Sequence, residues 1–285
     1  MHNLARIEPV DYLIIGHITQ DLTPSGTIFG GTASYAALTA RAMGLRVGII
    51  TAFPAGMELP KWEGITILAH PSEYATTFEN IYTTDGRIQY IHHIATPLNL
   101  SHVPESWRNT PTIHLGPIAR EVDPHLARSF PKSFVGMTLQ GWLRDWDESG
   151  RVHFSEWPEA GFVLNRASAA VLSIEDVRGN ERIIESMISQ VQILVVTEGA
   201  NGARLYWNGD VRRFRPPAVV EIDPVGAGDI FATVFFARLN VTKDPWEATR
   251  CANALAANSV TRLGLQGVPT PDEVQSCVVQ VLEEK

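Results

Sequence analysis

Apolar residues fall in short unbroken runs spaced along most of the chain: Tyr12-Leu13-Ile14-Ile15, Val47-Gly48-Ile49-Ile50-Thr51, Thr112-Ile113-His114-Leu115, Ser133-Phe134-Val135-Gly136-Met137, Ala170-Val171-Leu172 and Ile193-Leu194-Val195-Val196. Runs this short and this apolar predict strands buried on both faces, as in a parallel sheet covered by helices. Gly30-Gly31 opens a small-residue segment, Thr32 to Met43, that reads as a helix stopped by Gly44. Strand, glycine turn, helix, strand is the βαβ unit. Two stretches break this pattern by alternating. Thr77–Tyr82 and Arg87–His93 flank Thr84-Asp85-Gly86, and Ala203–Trp207 and Asp210–Phe214 flank Asn208-Gly209. Both predict hairpins; the first, out of place among βαβ units, reads as an antiparallel flap. Ser25-Gly26-Thr27-Ile28-Phe29 is short and extended, after a polar tail carrying Asp21. Near the end, Ile230–Ala237 is an apolar helix. Asp244-Pro245-Trp246-Glu247 and Thr270-Pro271-Asp272-Glu273 each supply an N-cap, a proline in the first turn and an acid at the third position.

No repeat or low-complexity linker divides the 285 residues, so one α/β domain spanning 1–285 with an inserted flap is expected. Hydrophobic residues at 45% and charged ones at 19% suit a folded globular chain. A net charge of -8 offers no basic field for nucleic acid or anionic lipid. An anionic ligand must therefore be held locally. Cys251 and Cys277 are too few for a disulfide framework and read as reduced thiols. No leader pattern opens the chain, and no run nears the about 18 apolar residues of a membrane span. The expected location is cytoplasmic, which makes the Asn-x-Ser/Thr triplets at Asn99 and Asn240 coincidental.

The chemistry concentrates in Asp223-Pro224-Val225-Gly226-Ala227-Gly228-Asp229, directly before the apolar helix. Small residues there should form its first turn, whose N–H groups lack internal acceptors and carry the positive end of the dipole. Gly226 and Gly228 let an anion approach the backbone. Asp229 beside an anion site reads either as a base removing a proton next to a bound phosphate or as an ordinary dipole-friendly acid. These seven residues alone leave both open. The P-loop pattern, a G-x-G-x-x-G after the first strand, H-E-x-x-H, paired C-x-x-C and G-x-S-x-G are all missing.

Gly30-Gly31, the flap, Thr197-Glu198-Gly199-Ala200-Asn201-Gly202 and D-P-V-G-A-G-D, in that order, resemble the ribokinase (PfkB) family of carbohydrate kinases. The resemblance implies a ribokinase-like three-layer sandwich with a central mostly parallel sheet. It also implies a small β lid, from segments about 21–30 and 76–96, and ATP-dependent phosphorylation of a hydroxyl. Asp229 then matches the catalytic base, and the amides of Gly226, Ala227 and Gly228 match the anion hole. Asp21 matches the acid that grips sugar hydroxyls, with Gly30 and Gly31 beside the substrate. Thr197, Gly199, Gly202 and Asn253 fall on the nucleotide side, and Gly264 opens a loop closing the adenine pocket.

Three positions depart from the family pattern. Tyr35 stands where the family carries a sugar-binding Asn, and reads equally as substrate contact or core. Ser173-Ile174-Glu175-Asp176 replaces the N-x-x-E that organises Mg2+, which puts Asp176 near the metal; a serine three residues before an acid is also a capping box for the next helix. Thr138-Leu139-Gln140-Gly141-Trp142-Leu143-Arg144 replaces D-x-N-x-R, with Gln140 and Arg144 left to address substrate or phosphate. Gly-Gly-Thr-Ala-Ser-aromatic with Gln140-Gly141 and Arg144 resembles the myo-inositol kinase branch more than ribokinase itself. His92 and His93 alternate across the flap, so one of them could touch a polyol, although a solvent-facing flap histidine is the favoured reading of each singly. The resulting expectation is an ATP- and Mg2+-dependent kinase acting on a sugar or cyclic polyol. A nucleoside kinase is an alternative, since Tyr35 could stack on a base. An inactive sugar- or nucleotide-binding relative is another, opposed by the intact Gly226-Ala227-Gly228-Asp229. The small molecule is the expected partner, and a homodimer through the lid stays open.

Overall fold

The computed structural model describes residues 7–24, 26–83 and 86–278. Thr84 and Asp85 of the first expected hairpin turn, Ser25 of the expected extended segment, and the N-terminal residues 1–6 lie outside the described residues. In chain order the elements are β1 (Tyr12–Ile15), β2 (Thr19–Thr23), β3 (Gly26–Gly30), α1 (Gly31–Ala42), β4 (Val47–Phe53), β5 (Ile65–Pro71), β6 (Thr77–Thr83) and β7 (Gly86–His93). There follow β8 (Thr112–Leu115), β9 (Phe134–Thr138), β10 (Arg144–Trp146), β11 (Val152–Phe154), α2 (Ala160–Leu164), β12 (Ala169–Ser173), α3 (Glu181–Ile188) and β13 (Ile193–Thr197). The chain closes with β14 (Ala203–Trp207), β15 (Asp210–Phe214), α4 (Ala227–Thr242), α5 (Pro245–Ser259) and α6 (Pro271–Cys277).

The main sheet runs β15-β14-β13-β12-β9-β8-β1-β4-β5. Seven of its strands are parallel, and the β14–β15 hairpin adds an antiparallel edge. Alternation along each buried strand feeds two cores. Tyr12 and Ile14 face α1, α4 and α5, whereas Leu13 and Ile15 join Trp107, Phe130, Ile184 and Met187 on the opposite face. The result is a three-layer α/β sandwich. From β1 the chain goes to β4 and β5 on one side and returns to β8 on the other, so strand order reverses beside β1. Ligands of open α/β sheets bind at the carboxyl ends of strands at such a point.

Helix α4 is apolar on every side, and the structure gives the reason: it is wedged between the sheet, α1 and α5. Phe236 lies over β9, where a Cβ on Gly136 would come within 2.5 Å of its ring. Asp244 caps α5 through Trp246 N (2.9 Å) and Glu247 N (3.2 Å). Glu247 turns away from that cap and meets Arg238 at 2.9 Å, a nearly buried pair that clamps α4 to α5. Thr270 and Glu273 form a full capping box at α6. Ser173 and Asp176 also form one, but it closes a 3-10 turn, Ile174–Val177; α3 takes its own cap from Asn180. Cys251 and Cys277 are both free and buried.

A second, four-stranded sheet has the order β3-β2-β6-β7, so the polar tail with Asp21 is a strand. The ribbon β10–β11 abuts it through a bridge between Tyr90 and Arg151 and a bond from Ile91 N to Gly150 O of 2.8 Å. A small third core of Phe78, Ile91, Ile118 and Ala119 joins the sheet to the ribbon. Among the described residues no helix is long and apolar enough to cross a membrane. Because Phe236 leaves no space above β9, Gly136→Ala should cost about 1–3 kcal/mol of stability, checked by urea unfolding; an unshifted midpoint would contradict this packing.

Candidate active site

A cavity of about 1360 Å³ opens between the small sheet and the carboxyl ends of β9, β12 and β13. The first turn of α4 forms part of its wall, because α4 runs beneath the sheet with its N-terminus at that edge. Gly226 is the N-cap of α4 in the left-handed region (φ 81°). A Cβ there would also meet the Tyr35 ring at 2.2 Å. Glycine is therefore needed as much for Tyr35 as for any ligand, and Tyr35, 2% exposed, packs under the helix mouth while touching the cavity. A Cβ on Gly228 would instead point into open space. Ala227 N donates to Pro224 O at 3.3 Å, so its amide is already part of a turn.

Asp229 occupies the third position of α4 and borders the cavity. Its Oδ1 accepts a bond from Thr32 Oγ1 of 2.7 Å. Burial pushes its pKa up to about 6, against the opposing pull of the Thr32 bond and the Arg144 charge; Asp176 and Asp21 add to the rise. A carboxyl group in that range is ionised near neutrality yet basic enough to accept a proton.

The small sheet brings Asp21 to the cavity, with Thr19 Oγ1 donating to Asp21 Oδ1 at 3.2 Å. Gly30, outside the lining, makes room for it: a Cβ at Gly30 would sit 2.5 Å from Asp21 Oδ2. Gly31 does line the cavity, at φ 82°. Gln140 Nε2 donates to Asp176 Oδ1 (3.2 Å), and Ser173 N donates to Asp176 Oδ2 (2.8 Å). Burial raises the Asp176 pKa, with Arg144, Ser173 and Gln140 opposing. Arg144 lines the same wall. Asp21, Gln140, Arg144, Asp176 and Asp229 thus converge from four separate segments, Gln140 and Arg144 sharing one.

At the other end lie Thr197, Gly199, Gly202 and Asn253, against an apolar wall that includes Ala256, Ala257 and Val260. Gly202 (φ 90°) is required by the β14–β15 hairpin, since a Cβ would fall 1.9 Å from Phe214 O. Asn253 Nδ2 donates to that same carbonyl at 3.3 Å. Gly264 sits outside the lining, where its N–H bonds Asp223 Oδ2 at 2.8 Å and ties two loops together. His92 and His93 also lie elsewhere: His92 pairs with Glu79 (2.9 Å) and His93 stacks on Tyr74. Polar lining that the sequence reading missed includes Asn80, joined across the small sheet by Gln89 Nε2 at 2.9 Å, and Arg151 and His153 of the ribbon. The alternation of β6 and β7 carries the signal for Asn80 and Gln89, because both share the face of Phe78.

Among the described residues no three His, Cys, Asp or Glu side chains group as a metal cage. Mg2+ does not need one, as it usually takes one or two carboxylates plus waters and substrate phosphates. Asp176, with Glu175 beside it in the lining, fits that limited role.

Residues 158–273 match the pfkB family carbohydrate kinase description. Inositol 3-kinase from Zea mays is 39% identical over 94 residues, 32% of this chain and 24% of that protein. The chain covers a similarly small share, 22%, of the Oryza sativa inositol 3-kinase. Cytidine kinase from Thermococcus kodakarensis is 26% identical over 254 residues, covering 80% of this chain and 88% of that one. Among solved structures, a pyrophosphate-dependent kinase in the ribokinase family, complexed with a pyrophosphate analog and myo-inositol, has a TM-score of 0.77 at 18% identity, covering 93% and 99% of the two chains. Arabidopsis thaliana ribokinase complexed with ribose and ATP gives 0.71 at 15% identity, covering 95% and 99%. These structural likenesses establish a ribokinase-like fold.

A carboxyl whose pKa rises from 3.8 to about 6 on folding withdraws stability as pH climbs through that window. Asp229→Asn should therefore match the native chain below pH about 4 and exceed it above pH 6, by at most about 3 kcal/mol. Urea midpoints across pH check this, and a pH-independent difference would refute it.

Proposed function

We propose that this chain is a ribokinase (PfkB) family kinase that transfers the terminal phosphoryl group of ATP to a hydroxyl of a sugar or cyclic polyol, with myo-inositol as the first candidate. The observation that carries the reading is Asp229: a carboxylate of raised pKa at a helix mouth, in a cavity whose facing walls are polar at one end and apolar at the other. The acceptor lies under the small sheet, its hydroxyls met by Asp21 and the Asn80–Gln89 pair. Asp229 takes the proton of the reacting hydroxyl as its oxygen attacks phosphorus. Amides in the first turn of α4 stabilise the charge on the transferred group, and Arg144 supplies a cation on the same wall. Thr197 and the turn after it face the donor phosphates.

The apolar wall of Ala256, Ala257 and Val260 supports a nucleotide donor, since pyrophosphate has no base to cover it. Asp176 would hold a magnesium ion through water, and that ion would neutralise phosphate charge. The small sheet serves as a lid that excludes water as a competing acceptor. We place the reaction in the cytoplasm, where the two unpaired cysteines are at home.

A nucleoside acceptor is the second reading, favoured by the long match to the cytidine kinase. Product formation from ATP and Mg2+ with myo-inositol, ribose, fructose and cytidine, followed by ADP release and 31P NMR, separates them. Phosphorylated inositol is expected; phosphorylated cytidine would favour the second reading, and no phosphorylated alcohol would overturn both. Pyrophosphate in place of ATP tests the donor. Asp229→Asn should lose on the order of 10²–10⁴ in turnover, and near-native turnover would remove Asp229 from the mechanism.

A further inference from the structure

We propose that Thr32 is a positioning residue: its hydroxyl holds one oxygen of Asp229 so that the other, Oδ2, is presented to the acceptor. This rests on the kinase reading above. Thr32 is the second residue of α1, 1% exposed, and the bond from its Oγ1 to Asp229 Oδ1 (2.7 Å) joins the first turns of two packed helices, 197 residues apart in sequence. The sequence shows it only as the Thr of Gly-Gly-Thr-Ala-Ser-aromatic and gives no sign of a carboxylate partner.

Two further contacts make the geometry specific. The Thr32 methyl is seated on Gly116, just past β8: a Cβ at Gly116 would stand 2.7 Å from Thr32 Cγ2. A β-branched side chain with its methyl fixed has its hydroxyl direction fixed as well. From the other side, Thr233 Oγ1 donates to the Asp229 backbone carbonyl at 2.8 Å. Thr233 is in turn hydrogen-bonded to the fully buried Tyr12, whose hydroxyl meets His114 Nδ1 at 3.1 Å. Main chain and one carboxylate oxygen of Asp229 are thus both held.

In the transfer step Oδ2 takes the hydroxyl proton, the acceptor oxygen bonds phosphorus, and the bond from phosphorus to the leaving nucleotide oxygen breaks. A fixed Oδ1 keeps Oδ2 in line through that exchange. The charged groups whose fields reach Asp229 are Arg144 at the start of β10, Asp176 after β12 and Asp21 on β2. The Thr32 bond works with Arg144 to keep the carboxylate ionised against burial and those two acids.

The experiment compares Thr32→Val, which keeps the methyl on Gly116 and removes the hydroxyl, with Thr32→Ser, which does the reverse. Thr32→Val should lose about 10–100-fold in kcat, with KM for acceptor and ATP nearly unchanged. The acidic limb of its kcat/KM profile should move up by roughly one pH unit. Thr32→Ser should recover most of the rate and the native limb. The 13C titration of the Asp229 carboxyl, which needs no substrate, should show the same upward move in Thr32→Val. If that variant does not fold, the same titration is read on Thr32→Ala. A valine or alanine variant with native titration and, where measurable, native kcat overturns the assignment. Failure of the unaltered protein to phosphorylate any alcohol would instead overturn the kinase reading, while the titration still decides whether Thr32 governs the carboxyl.

Discussion

A carboxylate withdrawn from water is costly unless neighbouring groups answer its charge, and the site depends on how this chain meets that demand for Asp229. The answer begins with α4. Because the helix is apolar on every side, it can only lie between the sheet, α1 and α5, and that burial fixes where its first turn emerges. The Arg238–Glu247 clamp and the chain of Thr233, Tyr12 and His114 beneath the helix hold it there with polar contacts inside an otherwise apolar layer. His114 illustrates the severity of that environment: burial pushes its pKa down to about 3, so it stays a neutral hydrogen-bonding ring.

Around the fixed helix mouth, the two halves of the cavity are built from different materials. The end under the small sheet takes its polar groups from paired strands and the ribbon, so their spacing is set by hydrogen-bonded ladders. At the far end, helix α5 presents small apolar residues beside a glycine-containing turn. The proposed reading uses this contrast, with hydroxyls at one end and a base above phosphates at the other. Asp229 stands between them.

Much of this architecture was legible in the pattern of residues. The buried strands announced themselves as short apolar runs, and α1 as a small-residue helix between Gly31 and Gly44, because two-sided burial leaves no room for polar positions. β5 escaped notice, since an edge strand with half-exposed residues alternates too weakly to stand out from a loop. α3 escaped too, as its eight residues, half of them polar, make only about two turns. Within the candidate site, Asp21, Gln140, Arg144, Asp176 and Asp229 were all singled out from the sequence, and the fold places them around one cavity. The parts that were not legible depend on distant contacts: Thr32 meeting Asp229, Tyr35 occupying the space that Gly226 leaves, and Gly264 serving a loop tie to Asp223. Local sequence does not encode which glycine yields to a neighbour and which yields to open space.

The ribbon β10–β11 carries a mechanical implication. Tyr90 and Ile91 of the small sheet are stitched to Gly150 and Arg151, and the ribbon's ladder continues from Val152 opposite Trp146 to Phe154 opposite Arg144. Arg144 is a cation whose field reaches Asp229. On the kinase reading proposed above, a tilt of the outer strand would pass along these rungs to Arg144 and so to the field at Asp229, coupling the covering of the acceptor to the group proposed to deprotonate it through a single lever.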